Sequence, residues 1–212
     1  MKIIIGLGNP SKEYEQTHHN AGFTFLNYLT KSWKGKEWRF QKKLQAKISK
    51  NPDFTLIKPP TSMNRSGESV SSIFDYYDFV FNKAIFSVRS SEKDASPVVA
   101  TSSVPPATPL EQSSHVPPMP RDLTIVFDDL DLPIGKWKLQ KSKGPHGHNG
   151  LESIYSHLGT KNFWHLRIGI DGRNGGRSIP PQKYVLSKFS LDERGELERV
   201  FAEIDAKLKS LE

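Results

Sequence analysis

The sequence predicts an α/β domain with a mostly parallel, mixed central sheet and helices on both faces. Three observations carry the prediction. An apolar, β-branched run from Ile3 to Leu7 closes on glycine, similar runs recur at Leu123–Phe127 and Leu166–Ile170, and segments with helical spacing stand between them.

Taken in order, the run at Ile3 to Leu7 reads as a central strand ending in a loop. A helix is expected from about Asn20, with Phe23, Leu26 and either Tyr28 or Trp33 turned inward. Leu44–Ser49 and Phe54–Lys58 read as two further strands. Val70, Ile73, Phe74 and Tyr77 stand at i, i+3, i+4 and i+7, which predicts an amphipathic helix over Ser66–Phe79. Leu123–Phe127 is a buried strand ending in acidic residues. Leu151, Ile154, Tyr155 and Leu158 then repeat the helical spacing, with Asn149 as the expected N-cap. After the strand at Leu166–Ile170, a C-terminal helix carries Leu197, Val200, Phe201, Ile204, Leu208 and Leu211. The capping-box pattern Ser190-x-x-Glu193 opens it.

The 212 residues fit a single domain with a proper core. Ser90–Pro120 departs from the pattern, being dominated by serine and proline. It reads as a disordered or polyproline-like surface insertion, from about 90 to 120. The net charge of +7 would raise the local concentration of a polyanion and make its binding salt-sensitive. Cysteine is absent, which excludes disulfides, a thiolate nucleophile and a cysteine zinc site. No apolar run reaches membrane-spanning length, so a cytoplasmic protein is expected.

Four segments place polar groups at a strand end or helix start, where ligands bind in α/β sheets. Gly6-Leu7-Gly8-Asn9-Pro10 combines a sharp turn with an amide. Thr17-His18-His19-Asn20-Ala21-Gly22 opens the first helix, whose positive terminus would keep a histidine neutral and able to act as a base. Lys58-Pro59-Pro60-Thr61-Ser62-Met63-Asn64-Arg65-Ser66-Gly67 presents an amide and a methionine near a helix start. The fourth joins the acidic cluster Asp128-Asp129-Leu130-Asp131 to Gly144-Pro145-His146-Gly147-His148-Asn149-Gly150. One carboxylate there could orient a histidine, and the helix start could hold an oxyanion or a phosphate.

Strand-GLGNP, T-x-HN-A-G, KP-x-T-x-MN-x-SG, DDLDLP-x-G and GHNGL succeed one another between Lys2 and about Lys188, interrupted only by the Ser/Pro segment. This ordered set resembles the bacterial-type peptidyl-tRNA hydrolase family. The resemblance implies hydrolysis of the ester joining a peptide, or an N-blocked aminoacyl group, to the 3′ end of tRNA. It implies a monomer that recycles tRNA from dropped-off peptidyl-tRNA and needs neither metal nor other cofactor. His19 matches the family's catalytic histidine, Asp128 the carboxylate that orients it, and Asn9 the amide near the terminal adenosine and the ester. Asn64 and Asn149 match amides that hold the peptide main chain and the attacking water, Met63 a residue of the peptide channel, and Tyr14 a substrate contact. Lys138 and Arg167 fall where basic residues face the tRNA 5′-phosphate.

The chain departs from the family pattern in places. His18 replaces the usual arginine, with an expected effect on local pKa values or a phosphate contact, and Ser62 replaces an aromatic, which loosens one wall. Lys143 and His146 stand where glycine is common. Two other readings compete with the hydrolase. One is a catalytically silent RNA-binding or splicing scaffold of the same fold, against which the retention of Asn9, His19, Asn64, Asp128 and Asn149 argues. The other is a metal-dependent hydrolase built on His18, His19, His146, His148 and the acidic cluster, which lacks a spacing such as H-E-x-x-H.

Overall fold

The computed structural model describes residues 2–76, 123–144, 147–173 and 179–210. Seven strands form one sheet: β1 (Lys2–Gly6), β2 (Arg39–Gln41), β3 (Ala46–Lys50), β4 (Phe54–Lys58), β5 (Leu123–Pro133), β6 (Trp137–Lys141) and β7 (Trp164–Asp171), in the order β2-β3-β4-β1-β5-β7-β6. β1 lies parallel to both β4 and β5, and β5 parallel to β7. β2 and β3 extend one margin in antiparallel pairing, and β6 closes the other against β7. The mixed sheet predicted from the sequence is therefore present, with a parallel centre (β4-β1-β5-β7) and antiparallel margins.

Both faces are covered, as a parallel core requires. Alternation along β1 sends Ile3 and Ile5 to one face, where they join Val70 and Ile73 of α2 (Ser66–Tyr76) and Leu151 and Ile154 of α3 (Asn149–Leu158). Ile4 faces the other way, towards Phe25, Leu26 and Leu29 of α1 (Ala21–Ser32) and Val200, Phe201 and Ile204 of a C-terminal helix (Leu191–Lys209). That helix is α5, since a single turn, α4 (Pro181–Tyr184), precedes it. The capping box predicted at its start is made: Ser190 accepts from the Glu193 N–H while the Glu193 carboxylate accepts from the Ser190 N–H.

Several boundaries differ from the sequence reading for physical reasons. α1 begins at Ala21, after a 3-10 turn at His18–Asn20, and its buried stripe also includes Phe25 and Leu29. Leu44 lies in a 3-10 turn ahead of β3. The helix expected over Ser66–Phe79 is described to Tyr76, and Tyr77, Leu211 and the 90–120 segment lie outside the described residues. Edge strands β2 and β6 were not anticipated, because edges carry only a half-apolar pattern and here mix it with lysine and arginine.

The most consequential difference concerns β5, which does not stop at Phe127 but runs on to Pro133 through the acidic cluster. Consecutive strand residues point to opposite faces. Asp128 and Asp129, adjacent in sequence, therefore serve different partners.

Candidate active site

The site stands at the carboxyl ends of β1, β4 and β5, where the chain order reverses about β1, the usual position for a ligand in such sheets. Leaving β1, the backbone at Asn9 is bracketed by Asn20: the Asn9 N–H donates to Asn20 Oδ1 at 2.7 Å, and Asn20 Nδ2 donates to the Asn9 carbonyl at 3.0 Å. Asn20 thus gives up side-chain capping of α1 to fix the turn that carries Asn9. The Asn9 side chain accepts from the Met63 N–H at 2.9 Å through Oδ1. This bond orients the amide and leaves its NH2 group as the available donor. It also ties the end of β1 to the 3-10 turn Met63–Arg65 beyond β4.

α1 can begin this close to the sheet because of Gly22. A Cβ there would stand 2.5 Å from the Val126 carbonyl oxygen and 2.6 Å from that of Leu7. A second close approach joins the remaining segments. A Cβ on Gly150 would meet Met63 Sδ at 2.5 Å and both His148 Cε1 and Leu7 Cδ1 at 3.1 Å. The Met-Asn, Gly-Leu-Gly-Asn and Gly-His-Asn-Gly motifs converge on that missing side chain.

At the centre, His19 Nδ1 lies 2.9 Å from both carboxylate oxygens of Asp128. Asp128 is buried, while His19 keeps 13% of its side-chain surface exposed. A third residue completes the cluster: His148 Nε2 lies 3.1 Å from Asp128 Oδ1, and its Nδ1 accepts from the Leu151 N–H at 3.3 Å. His148, not Asn149, is the N-cap of α3. Capping settles its protonation, because a ring nitrogen that accepts a backbone N–H carries no proton. The His148 proton therefore sits on Nε2 and is donated to Asp128. Asp128 in turn accepts from His19 Nδ1–H, leaving His19 Nε2 with a free lone pair.

Burial opposes ionisation of Asp128, but the charge of a protonated His19 and the hydrogen bonds from His148 and His19 outweigh it and hold the carboxyl well below the usual range. Burial likewise works against a charged His19, yet the charge and hydrogen bond of Asp128 prevail and raise its pKa above 6.5. The expectation that the helix terminus shifts the pKa of His19 downwards is thus corrected. A buried carboxylate in direct contact outweighs partial charges at the end of a helix.

The ligand atoms of His19, Asp128 and His148 lie within 4.8 Å of one another, the separation of a possible metal site. A metal on His148 Nε2 would push the ring proton onto Nδ1, against the Leu151 N–H that Nδ1 now accepts. The donor set does not favour an ion there. Of the other histidines named for that reading, His146 lies outside the described residues and His18 points elsewhere. His18 is 2% exposed, packs on Tyr184 and Phe189, donates from Nδ1 to the Ser187 carbonyl at 2.8 Å and lies 3.4 Å from Glu193. Of the two effects expected from His18 in place of arginine, this burial bears on the phosphate contact, which the side chain does not reach out to make. His18 instead fastens its turn to the strap 185–189, which also accepts the His18 N–H at 3.0 Å and the His19 N–H at 2.7 Å.

The remaining site residues fall into buried and exposed sets. Met63 is buried, while Asn64 and Asn149 are exposed, each one step along the chain from a residue that meets Gly150. Tyr14 is half-buried, and its carbonyl accepts from the Thr17 hydroxyl at 2.8 Å. Ser62 and Lys143 are exposed. Lys138 is exposed on β6, directly opposite Arg167 in the β6–β7 register. Arg167 does not share its exposure: its Nε donates to Asp129 Oδ2 in a buried pair, and Nη1 donates to Gln140 Oε1 at 3.2 Å. Its role as a direct phosphate contact is corrected accordingly, since a guanidinium committed to a buried carboxylate is anchored inside. Sequence reasoning gave His148 and Asn20 no part in the metal-free site. The only signal for His148 was its place one residue before Asn149 in a Gly/His/Asn run, a position that suits a capping side chain.

Fold and site together define a hydrolase-class α/β protein with a carboxylate-tethered histidine at the carboxyl ends of parallel strands. The family model described as peptidyl-tRNA hydrolase matches residues 3–88 and 108–212. The chain is 33% identical to a peptidyl-tRNA hydrolase of Neisseria meningitidis serogroup C over 216 aligned positions, covering 100% of this chain and 88% of the relative. It is 36% identical to that of Geobacillus thermodenitrificans over 196, covering 92% and 83%. A crystal structure of peptidyl-tRNA hydrolase from Acinetobacter baumannii superposes with a TM-score of 0.71 at 27% identity, covering 99% of this chain and 87% of that one. The chain belongs to the peptidyl-tRNA hydrolase family.

Proposed function

We propose that this protein hydrolyses the ester between a peptide, or an N-blocked aminoacyl group, and the 3′ end of tRNA, with His19 as general base and Asp128 as its orienting carboxylate. The observation that carries the mechanism is the pair of 2.9 Å contacts from His19 Nδ1 to a buried Asp128 whose other proton donor, His148, is itself fixed by capping α3. His19 Nε2 takes a proton from a water as its oxygen attacks the ester carbonyl carbon. Asp128 stabilises the imidazolium that results. The Asn9 NH2 group faces the developing oxyanion, a contribution of about 3 kcal/mol for a well-placed donor. Collapse of the tetrahedral intermediate expels the ribose oxygen, which receives the proton from His19. Water has then been divided between a peptide carboxylic acid and a free tRNA 3′ hydroxyl.

An ester needs no covalent nucleophile under these conditions, and no metal enters the scheme. Asn64 and Asn149, exposed beside Met63 and His148, hold the peptide main chain, which lets any peptide sequence be accepted. Tyr14 contributes a rim contact to the substrate, and Lys138 meets a tRNA phosphate, with Arg167 bracing the strand behind it through Asp129. Strands from both sides of the 90–120 segment share one sheet, which supports a single hydrolase domain. In this reading the domain acts as a monomer. Among the described residues no helix is long and apolar enough to cross a membrane.

Single-turnover release of N-acetylated amino acid from tRNA tests the reading. His19→Ala is expected to fold normally and to lose on the order of 10³-fold in turnover, the usual range for a general base. Release by pure wild-type protein that cannot be detected would indicate the scaffold, and near-normal turnover in His19→Ala would place the base elsewhere.

A further inference from the structure

Beside Asn9 and Asn20 lies a cavity of about 500 Å³, within the roughly 300–1,000 Å³ range of small-ligand sites. Phe23 and Trp38 supply aromatic surface to its wall, Lys47 and Lys58 supply positive charge, and Glu15 supplies one negative charge. His19 and Asp128 do not line it. We propose that this cavity binds a phosphodiester of the single-stranded 3′ end of tRNA, with Lys58 as the anchoring cation and Lys47 beside it. The inference rests on the hydrolase reading and specifies how the substrate strand is held next to the ester.

Lys58 is an unusual cation. It ends β4, and its ammonium donates to Asn27 Oδ1 and lies 4.2 Å from the ring centroid of Trp38 and 5.4 Å from that of Phe23. An ammonium has three donors, and only this one finds an acceptor among the described residues, none of which pairs with Lys58 as a carboxylate. Directly opposite it, in the β3–β4 register, stands Lys47. Like charges facing one another across a sheet destabilise the pair. Burial first, and Lys47 second, push Lys58 down to about 7, against the opposing charge of Glu15. Glu15 also lines the cavity but does not pair with Lys58, so two cations stand face to face over an aromatic-walled cavity, one of them partly buried and short of acceptors, with room for a bridging anion between them. A phosphate between Lys47 and Lys58 supplies the missing acceptors and removes the repulsion. Trp38, Phe23 and the amide of Asn27 suit the sugar and base attached to it. Asn9 lines this cavity and bonds Met63, which meets Gly150 beside His148, so a nucleotide held here is continuous with one whose ester reaches His19.

The test compares two substrates: an N-acetylated aminoacyl-tRNA, and the same N-acetylated amino acid esterified to adenosine, which carries no phosphodiester. Lys58→Met is expected to raise KM for the tRNA substrate about tenfold, the loss typical of one charge-assisted hydrogen bond, and to leave the adenosine ester unaffected. The log–log salt dependence of KM is expected to flatten by about 0.7, the contribution of one phosphate on a single strand. Lys58→Arg is expected to restore most of the difference. Lys47→Met, at an exposed position, should act in the same direction while leaving the half-buried Lys58 side chain in place. Equal losses on both substrates, or an unchanged KM for the tRNA, would overturn the assignment. Titration of the trinucleotide CCA against wild-type and Lys58→Met protein reads the same site without catalysis. If the wild type hydrolysed neither ester, weaker CCA binding in Lys58→Met would still uphold the phosphate site while refuting the hydrolase, and equal CCA binding by the two proteins would sink the site.

Discussion

Replacing Asp128 by asparagine keeps the shape of the site, removes one charge and should leave His19 in the wrong tautomer. Asp128 accepts from two directions, His148 Nε2 at 3.1 Å on Oδ1 and His19 Nδ1 at 2.9 Å on both oxygens. An asparagine offers one acceptor and one donor in their place. His148 cannot turn its proton round without losing the Leu151 N–H, so the amide oxygen stays on that side. The amide NH2 then faces His19 Nδ1 and favours the tautomer with the proton on Nε2, the nitrogen that must accept one from water. Wrong-tautomer substitutions of this kind reduce turnover on the order of 10⁴-fold in serine proteases, and a loss of at least about 10³-fold is expected here. The pH profile gives a second readout. In the wild type burial lowers the pKa of His19, but Asp128 outweighs burial through charge and hydrogen bond, so the acid limb lies above 6.5. Asp128→Asn removes both raising influences and leaves burial, so the residual activity should show a limb below 6.5. Single-turnover release between about pH 5 and 9, with folding checked by circular dichroism, measures both. Turnover within tenfold of wild type, or an acid limb that stays where it was, would refute the reasoning about this pair.

The same contacts predict further outcomes. His148→Phe removes the cap of α3 and a donor to Asp128; it should cost about 1 kcal/mol in denaturant unfolding and lower turnover by about 10- to 100-fold, as outer partners of a site commonly do. Arg167→Met leaves the Asp129 carboxylate buried and unpaired, so stability should fall by about 3–5 kcal/mol, and a loss under about 1 kcal/mol would show that Asp129 finds another partner. The stability gap between wild type and Asp128→Asn should be widest between pH 3.8 and 6.5. Below 3.8 the gap narrows, because the unfolded Asp128 takes up a proton that the folded one refuses. Above 6.5 it narrows as the folded His19, with its raised pKa, gives its proton up. Urea midpoints measured across that range check the sign.

Much of this protein was legible in one dimension. The apolar runs at Ile3 to Leu7, Leu123–Phe127 and Leu166–Ile170 announced buried parallel strands, because a strand covered on both faces has no polar side to show. The Ser190–Glu193 capping box was readable because its two hydrogen bonds span only three residues. The pairing of His19 with Asp128 came from the ordered motifs, not from spacing, since 109 residues separate the two.

What only the tertiary structure decided is the protonation and direction of each polar group. Adjacent residues were sent to different tasks by strand alternation and packing: Asp128 to His19 and Asp129 to Arg167, His19 into the site and His18 against Tyr184 and Ser187. His148 became a fixed donor because α3 starts where it does, and Lys58 an underserved cation because β3 sets Lys47 opposite it. A residue's type and local pattern state which bonds it can make. Which of them it does make depends on partners distant along the chain, and on how much water the fold leaves around them.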